Sequence, residues 1–302
     1  MHNNWSTVIG VTHRAPAKIN IGLRLTGRRP DGYHELASLF WPVSICDDLR
    51  FEPDTADRVD VHWDTATTHK PAIPSNDNIV ARTLGRLRQI AEIPYFRVTI
   101  LKRIPVGGGL GGGSSNAATT LRVLSAGLGV DHATINDIAA GLGADVPFFL
   151  EPAPTWVTGV GEIRQLLSFE SALAESLGLL VLLPAFSSRT ADVFSEFRES
   201  DGELSLPVTP LNRKLSLSSL KEYTLTAQND LLPIVAARHP QILALTQALS
   251  RSGAFFSSMS GSGSSLFGLY ETSQMAVASA QVLLPICREY DCRLLTAQTY
   301  RV

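Results

Sequence analysis

Six glycines stand in the seven residues from Gly107 to Gly113, and this run limits the fold more than any other stretch of the chain. Glycine loses more conformational entropy than other residues in a helix or strand, so such a run is favourable only where the backbone takes positive φ or lies against a ligand. Residues 96–104 alternate as a strand does, and residues 114–128 are rich in Ala and Leu. The pattern predicts a strand, a glycine loop and a helix that begins at Ser114.

A helix at this position points its unpaired N–H groups and the positive end of its dipole into the loop, which favours phosphate as the ligand. A flexible linker is the alternative for a glycine-rich run. Linkers, however, do not lie between a strand and a long apolar helix with two hydroxyls at its start. The loop also lacks the Gly-Lys-Ser/Thr end of the Walker A motif and the context of a dinucleotide-binding loop. The sequence therefore predicts a phosphate loop of another kind.

The composition is that of an ordinary globular protein. At 302 residues with 44% hydrophobic residues, the chain is long enough for two domains of about 150 residues. Acidic residues number 28 against 26 basic ones, so no electrostatic footprint for nucleic acid or an anionic membrane is present. The N-terminus lacks a basic segment followed by an apolar one, and the apolar run at 177–183 is too short to cross a bilayer. We therefore expect a cytoplasmic protein that binds neither nucleic acid nor membrane.

Cysteine and histidine follow no metal-site pattern. The three cysteines, Cys46, Cys287 and Cys292, lack metal-ligand spacing, and their odd number does not indicate a disulfide framework. The seven histidines include no H-E-x-x-H motif. We expect buried or incidental thiols and no transition metal. The sequence leaves the oligomeric state open between a monomer and a homodimer.

Polar residues in the first part of the chain are candidates for a binding site. Residues 17–25 alternate as a half-buried strand does, which places Lys18 and Asn20 on one face. A solvated strand face is the ordinary explanation for a lone lysine. The Pro-Asp-Gly sequence that follows predicts a turn that presents Tyr33 and His34 together. Packing of these two side chains on the core explains them equally well at this point.

Two later segments also permit two interpretations each. Asp145 precedes Val-Pro-Phe-Phe in an apolar run, where an aspartate either caps a helix or serves as a catalytic acid or base. Residues 259–268 contain a Gly-Ser turn between two apolar strands, which is usually a plain hairpin. The residues alone leave both questions open.

The remaining pattern predicts alternating strands and helices. Residues 38–63 should form two strands with a turn at 46–48, and Asn76 or Asp77 should cap a helix over 78–93. Further predicted elements are a strand at 177–183, helices at 133–142, 190–197, 231–239, 240–252 and 273–286, a strand at 292–298, and an exposed polar insertion at 199–214.

The glycine loop resembles a known nucleotide-binding motif. Pro105, the Gly-Leu-Gly core and the two serines at the helix start are similar to the ATP-binding motif of the GHMP kinases, the superfamily of galactokinase, homoserine kinase, mevalonate kinase and phosphomevalonate kinase. Within it, the doubled glycine triplet and the string Asp-Gly-Tyr-His-Glu-Leu at 31–36 resemble the 4-diphosphocytidyl-2-C-methyl-D-erythritol kinases. The superfamily's sugar and amino-acid kinases do not share that string.

Three further segments extend the resemblance from Lys18 to about Ser273. Pro-Ala-Lys-Ile-Asn at 16–20 is similar to the family's first motif, Gly-Ala-Asp-Val-Pro-Phe-Phe at 143–149 to the segment with the catalytic aspartate, and 259–268 to the superfamily's third motif. One departure follows, because Glu151-Pro152 stands where relatives commonly have a Gly-Gly pair. We expect the backbone there to follow a local path of its own.

The resemblance implies an α/β (α+β) fold of two domains. Residues 1–160 would form the N-terminal ATP-binding domain with a left-handed β-α-β crossover, an exception to the usual handedness rule. Residues 161–302 would form a ferredoxin-like domain, with the active site in the cleft between the two. The implied reaction transfers the ATP γ-phosphate to the 2-hydroxyl of 4-diphosphocytidyl-2-C-methyl-D-erythritol, in non-mevalonate isoprenoid biosynthesis.

The resemblance also assigns the reacting residues and the nucleotide site. Asp145 would accept the hydroxyl proton, while Lys18 would hold Asp145 ionised and neutralise charge near the transferred phosphoryl group. ATP would bind with Mg²⁺, to which Ser115 would contribute a contact. The predicted nucleotide-binding set is Lys102 (a nucleotide or substrate contact), Pro105, Gly107, Gly108, Gly109, Leu110, Gly111, Gly112, Gly113, Ser114 and Ser115.

The acceptor site is assigned in the same way. Tyr33 would stack on the cytosine, Phe194 would cover its other face, and His34 would hydrogen-bond its edge. The predicted acceptor-binding set is Asn20, Tyr33, His34, Phe194, Gly261, Ser262 and Gly263. Another GHMP kinase, a nucleotide-binding module without activity, and a structural Lys-Asp ion pair are the competing hypotheses.

Overall fold

This computed structural model describes residues 5–65, 70–71, 73–74, 77–126, 128–197 and 214–301, which belong to two compact units. The first unit comprises Met1–Ala17, Ile45–Val106 and Gly111–Pro152, and the second comprises Lys18–Ser44, Gly107–Leu110 and Ala153–Val302. The chain passes from one unit to the other several times. The single domain boundary predicted at residue 160 stays a prediction.

Groups of strands and groups of helices follow one another along the described chain, after a 3₁₀ turn at Trp5–Thr7. The strands are β1 (Thr12–Arg28), β2 (His34–Pro53), β3 (Arg58–Trp63), β4 (Phe96–Lys102), β5 (Thr155–Thr158), β6 (Ile163–Leu166), β7 (Ser168–Phe169), β8 (Gly178–Pro184), β9 (Lys214–Leu215), β10 (Phe256–Met259), β11 (Leu266–Tyr270) and β12 (Cys292–Ala297). The helices are α1 (Ile79–Arg88), α2 (Gly112–Ser125), α3 (His132–Leu142), α4 (Val146–Leu150), α5 (Ser171–Ser176), α6 (Thr190–Glu196), α7 (Leu217–Thr224), α8 (Leu232–Arg238), α9 (Gln241–Arg251) and α10 (Ser273–Glu289).

The first unit combines helices α1 to α4 with strands β3 and β4 and the last part of β2. Strand β4 pairs antiparallel with the end of β2, where Asp48 faces Leu101, and parallel with β3. Every second residue of β4 from Phe96 is buried, which is the period of a strand with one face in the core. Helix α2 packs against α1, α3 and α4. The handedness of the crossover through α1 from β3 to β4 stays a prediction.

The second unit contains a four-stranded antiparallel sheet in the order β10-β11-β8-β12. Along the chain, a helical segment follows β8, β10 and β11 form a hairpin, and α10 leads to β12. This βαββαβ order confirms the predicted ferredoxin-like arrangement, and the predicted mixed α/β fold is confirmed as well. Strand β8 is buried along its whole length because it lies inside the sheet and its residues are apolar.

Three local predictions were wrong. Residues 46–48 form no turn, because β2 continues through them to Pro53. Helix α2 begins at Gly112, two residues before the predicted start. Helix α1 is capped by Asn78, whose side-chain oxygen accepts the N–H of Val80, and not by Asp77. Asn76 and most of the polar stretch 199–214 lie outside the described residues.

The departure at Glu151-Pro152 lies where α4 ends. Glu151 has extended φ of −135°, as expected for a residue before proline, and Pro152 has no N–H with which to continue the helix. The Glu-Pro pair therefore terminates α4 after Leu150.

Candidate active site

The glycine loop leads directly into α2. Gly111 precedes the helix with φ of 71°, in the left-handed region that favours glycine. A Cβ on Gly112 would lie 2.7 Å from Cγ2 of Ile104 and 3.2 Å from Nζ of Lys102, so this position must be glycine for the helix to approach β4. The first N–H groups of α2 have no partner within the helix and are suited to bind an anion.

A buried charged cluster lies beside this helix start, within the first unit. The Lys102 ammonium donates to Oδ2 of Asp47 at 2.5 Å and to Oδ1 of Asn116 at 3.2 Å. The Asn116 amide also donates to Asp47, at 3.0 Å. The other carboxylate oxygen of Asp47 accepts the N–H groups of Arg103 and Ile104 at 2.8 and 2.9 Å. All polar atoms of the Asp47 carboxylate are thus satisfied, as a buried charge requires.

Sequence reasoning missed Asp47 and Asn116. Lys102, predicted to contact nucleotide or substrate, is 3% exposed and forms an ion pair with Asp47. Its contact with a ligand stays a prediction. Period-two alternation along β2, which puts Asp47 on the same face as the buried Ile45 and Leu49, is the signal that would have revealed the buried carboxylate.

Two further predicted residues belong to the first unit. The Ser115 hydroxyl is fully buried and has no hydrogen-bond partner in the described part of the chain, and the Thr119 hydroxyl one turn later shares this property. Asp145 occupies the position before α4, yet its side chain makes no capping hydrogen bond to that helix. The capping interpretation of Asp145 was therefore wrong, and its role as a base stays a prediction.

In the second unit, the structure brings Lys18 and Asn20 together on β1. The Lys18 ammonium donates to Oδ1 of Asn20 at 2.5 Å and lies 4.5 Å from the centre of the Phe40 ring. Lys18 is 4% exposed and Asn20 is 1% exposed, so the solvated-face interpretation was wrong. The Asn20 amide also donates to the hydroxyl of Ser38 on β2 at 2.9 Å.

The loop segment from Gly107 to Leu110 is anchored by its carbonyl groups, within the second unit. Each of the four accepts a hydrogen bond from outside the loop, and the donors are the N–H of Ser188, the N–H of Ser265, the hydroxyl of Ser260 and the N–H of Lys18. A Cβ on Gly109, where φ is 73°, would lie 2.0 Å from the Ser260 carbonyl oxygen. The glycine at this position permits the loop to contact the third motif.

The third motif is held in place by a residue that sequence reasoning did not single out. The Asn229 amide donates to the carbonyls of Met259 and Gly261, both at 2.8 Å. The Ser262 hydroxyl lies 2.9 Å from that of Thr190 at the start of α6. Nothing local to Asn229 in the sequence indicates this role, because its partners lie some thirty residues away.

The predicted acceptor residues Tyr33, His34 and Phe194 belong to the second unit. The His34 ring centre lies 6.0 Å from that of Phe194 and 5.7 Å from that of Phe197, edge to face with the latter. Tyr33 is 67% exposed, and its N–H donates to the side chain of Asp31. The structure therefore brings His34 and Phe194 together and leaves the Tyr33 ring open to solvent.

Comparison with known proteins identifies this arrangement. Residues 78–151 match the GHMP kinases N terminal domain, and residues 212–282 match the GHMP kinases C terminal domain. A 4-diphosphocytidyl-2-C-methyl-D-erythritol kinase from Chlorobium phaeobacteroides is 36% identical over 276 residues, which cover 90% of this chain and 93% of the relative. The chain belongs to the 4-diphosphocytidyl-2-C-methyl-D-erythritol kinase family. A second family member, from Mesorhizobium japonicum, is 37% identical over 275 residues, 89% of this chain and 90% of its own.

Solved structures agree with this membership of the 4-diphosphocytidyl-2-C-methyl-D-erythritol kinase family. The crystal structure of a 4-(cytidine 5'-diphospho)-2C-methyl-D-erythritol kinase matches with a TM-score of 0.73 and 30% identity, over 96% of this chain and all of that one. A homoserine kinase from Cytophaga hutchinsonii shares the fold, with a TM-score of 0.67, 15% identity and coverage of 96% of this chain and 94% of that one. The family resemblance drawn from the motifs is confirmed.

None of the helices that the structure describes combines the length and the apolar character needed to cross a bilayer. Within the described ranges, no group of three His, Cys, Asp or Glu side chains is placed to hold a metal ion.

Proposed function

We propose that this chain transfers the γ-phosphoryl group of ATP to the 2-hydroxyl of 4-diphosphocytidyl-2-C-methyl-D-erythritol, producing the 2-phosphate and ADP. The observation that carries the proposal is the similarity to named kinases of this substrate along 90% of the chain. The buried Lys18–Asn20 pair and the anchored glycine loop support it, because both occur at motif positions expected to serve phosphoryl transfer.

ATP would bind through the glycine loop and the start of α2. The N–H groups at a helix start that lack partners within the helix attract phosphate, and Gly113 at this start is exposed to solvent. Mg²⁺, when bound, supplies positive charge that neutralises the phosphates. The unpartnered Ser115 hydroxyl at this helix start is a suitable oxygen ligand for that ion.

The chain's own residues would perform the proton transfer and the charge stabilisation. Phosphoryl transfer depends mainly on positioning and electrostatic stabilisation. Asp145 would accept the proton of the acceptor hydroxyl, Asn20 would orient that hydroxyl, and Lys18 would stabilise negative charge on the transferred group. Asp145 belongs to the first unit and Lys18 to the second, so their mutual interaction stays a prediction.

The acceptor's cytosine would be recognised by the aromatic residues of the second unit. Tyr33, which is exposed, is available to stack on the base, while His34 and Phe194 would contact its edge and its other face. A binding site that hydrogen-bonds a base edge rejects analogues that leave its polar groups unpaired. The uridine analogue of the acceptor should therefore be phosphorylated much more slowly.

The reaction would take place in the cytoplasm, as a step of non-mevalonate isoprenoid precursor biosynthesis. The protein would need no nucleic acid or membrane partner and would act as a monomer or a homodimer.

ADP release separates the candidate functions. The purified protein would be incubated with MgATP and, in parallel, with the diphosphocytidyl acceptor, its uridine analogue, homoserine, mevalonate or no acceptor. We expect rapid ADP release only with the diphosphocytidyl acceptor. Preference for homoserine or mevalonate would indicate another GHMP kinase, and ATP binding with no turnover of any acceptor would indicate a binding module. Equal turnover of the uridine analogue would refute the role of His34.

A further inference from the structure

Ser38 on β2 is fully buried, and its hydroxyl makes two hydrogen bonds. Its oxygen accepts a hydrogen bond from Nδ2 of Asn20 at 2.9 Å, and its proton goes to the carbonyl oxygen of Gly22 at 2.6 Å. Asn20 in turn accepts the Lys18 ammonium on Oδ1. A continuous hydrogen-bond chain therefore runs from a backbone carbonyl to the predicted catalytic lysine.

The two ends of this chain determine the direction of every hydrogen bond in it. A backbone carbonyl only accepts, so the single Ser38 proton must point to Gly22, and the Ser38 oxygen must then accept from Asn20. An ammonium only donates, so the oxygen of the Asn20 amide must face Lys18. The reversed amide would place its NH₂ group against the ammonium and its oxygen against a Ser38 oxygen whose proton is already used. Only one orientation of the Asn20 amide is therefore compatible with this series of hydrogen bonds.

The backbone at Gly22, where this series of hydrogen bonds ends, is restrained by Tyr223. The Tyr223 hydroxyl donates to the carbonyl of the adjacent Ile21 at 2.8 Å, and burial raises the pKa of Tyr223, so this donor keeps its proton. Gly22 takes φ of 74°, and an added Cβ would lie 2.7 Å from the Tyr223 oxygen. The backbone carbonyl that Ser38 binds thus has a fixed position.

The Lys18 end is restrained by a second residue of β2. Phe40 lies two residues after Ser38, on the same face of the strand, and its ring centre is 4.5 Å from the Lys18 ammonium. A cation over an aromatic face is attracted by the ring's quadrupole. Ser38 and Phe40 on β2 therefore face Asn20 and Lys18 on β1.

We propose that Ser38 is a positioning residue for phosphoryl transfer. Its hydroxyl, anchored on the Gly22 carbonyl, holds the Asn20 amide in the orientation that presents its oxygen to the Lys18 ammonium. Ser38 acts through Asn20 and does not touch the substrate. The inference rests on the proposed function, because it assumes that Lys18 and Asn20 serve the transfer reaction.

The test compares Ser38→Ala with two matched variants. Ser38→Thr keeps the hydroxyl, and Ser44→Ala removes a hydroxyl on the same strand that accepts the backbone N–H of Gln298. We expect Ser38→Ala to lower kcat about tenfold with KM for ATP nearly unchanged, since loss of orientation affects the reacting groups and not the nucleotide site. Ser38→Thr should recover most of that loss, and Ser44→Ala should match the wild type.

A double-mutant cycle shows whether Ser38 acts through Asn20. In an Asn20→Ala background, Ser38→Ala should cause no further fall in kcat, because the amide that it orients is gone. Independent losses that multiply would contradict the inference. Circular dichroism checks that each variant folds, and Ser38→Cys, which keeps the volume but weakens both hydrogen bonds, replaces Ser38→Ala if the latter does not fold.

The possible outcomes separate this inference from the proposed function. No turnover of the diphosphocytidyl acceptor by the wild type would refute the function itself. Normal wild-type turnover together with full kcat in folded Ser38→Ala or Ser38→Cys would refute only the role of Ser38. Failure of both variants to fold would show that Ser38 serves stability, and the positioning role would be rejected.

Discussion

Asp47 shows how a single residue can be misinterpreted from sequence. Consecutive aspartates are common in turns, and this preference led to the predicted turn at 46–48. In the structure Asp48 faces Leu101 across the β2–β4 pair, so Asp47 and Lys102 are the next opposing residues. A carboxylate and an ammonium opposite each other on neighbouring strands form a favourable cross-strand pair. The strand continues because the lysine supplies the charge that the buried aspartate needs.

Breaking this ion pair should destabilise the protein strongly. Lys102→Met leaves the Asp47 carboxylate buried without its counter-charge, so we expect the free energy of unfolding to fall by about 3–5 kcal/mol. Adding Asp47→Asn should restore part of the loss. Urea denaturation measures both effects.

Arg97→Met is the matched control on the same strand. It removes the partly exposed pair with Asp60 and should cost at most about 1 kcal/mol. Equal losses for Lys102→Met and Arg97→Met would contradict the importance that we assign to burial.

Asp145 should affect turnover and not folding. Asp145→Asn keeps the shape of the side chain and removes the proposed base, so kcat should fall by roughly 10²–10⁴-fold while the affinity for ATP and the melting temperature stay unchanged. Steady-state kinetics and ATP titration measure this, with Asp137→Asn, an exposed position on α3, as the control. Near-normal turnover by Asp145→Asn would mean that positioning accounts for most of the catalysis.

At the scale of elements, the periodic segments were predicted correctly, but the residues at which they begin and end were predicted less accurately. Strand β4 and helices α9 and α10 follow from apolar spacing, because one face of each is buried, and β8 follows from its continuous apolar run, because it is buried along its whole length. The start of α2 was placed two residues late, since glycine is a poor helix former by itself. At Gly112 the close approach to Ile104 outweighs that preference.

Phosphate binding at the start of α2 can be tested by comparing Gly113 in this helix with Gly85 in α1. Gly113 and Gly85 both lie in helices, have no positive φ and have room for a Cβ, so alanine at either position should keep or raise stability, by up to about 1 kcal/mol. Only Gly113→Ala should raise KM for ATP, because Gly113 belongs to the helix start that we propose to bind the phosphates.

Steady-state kinetics gives KM for ATP of the two alanine variants, and thermal unfolding gives their stability. A Gly113→Ala enzyme with the wild-type KM for ATP would argue against phosphate binding at this helix start. Valine at Gly109 or Gly111 would be less informative, because positive φ at both positions strains the fold itself.

At the scale of the whole molecule, the motifs predicted the fold class and the order of the site segments, but not the unit to which each belongs. Lys18 begins a segment of the second unit although Ala17 still belongs to the first. The glycine loop is likewise shared, with Gly107–Leu110 in the second unit and Gly111 onward in the first. Local patterns describe elements, whereas membership in a unit depends on contacts far apart in the chain. The partners of Asn20 and Asn229 were not predictable for the same reason.

Alkaline pH should weaken the folded molecule through Cys46. Burial raises the pKa of this thiol to about 11 from an ordinary value of 9.0. Between these values the unfolded chain releases the thiol proton and the folded chain keeps it, so the free energy of unfolding should fall as pH rises from about 9 to about 11. The slope due to this group is at most about 1.4 kcal/mol per pH unit.

Cys46→Ala removes the titrating group and isolates its contribution. Urea unfolding at several pH values should show a shallower alkaline decline for the variant than for the wild type. Parallel curves would mean that the thiol ionises equally in both states.

The four anchored carbonyls of Gly107–Leu110 have a consequence for nucleotide choice. A segment that is hydrogen-bonded to its surroundings at every peptide loses its conformational entropy when the protein folds. Little further entropy is then lost when a ligand binds. The anchored loop also cannot change its conformation to fit a ligand of another shape. If the phosphates of ATP bind to these peptides as proposed, an analogue with a lengthened or branched phosphate chain should bind much more weakly than ATP, which competition with ATP would measure.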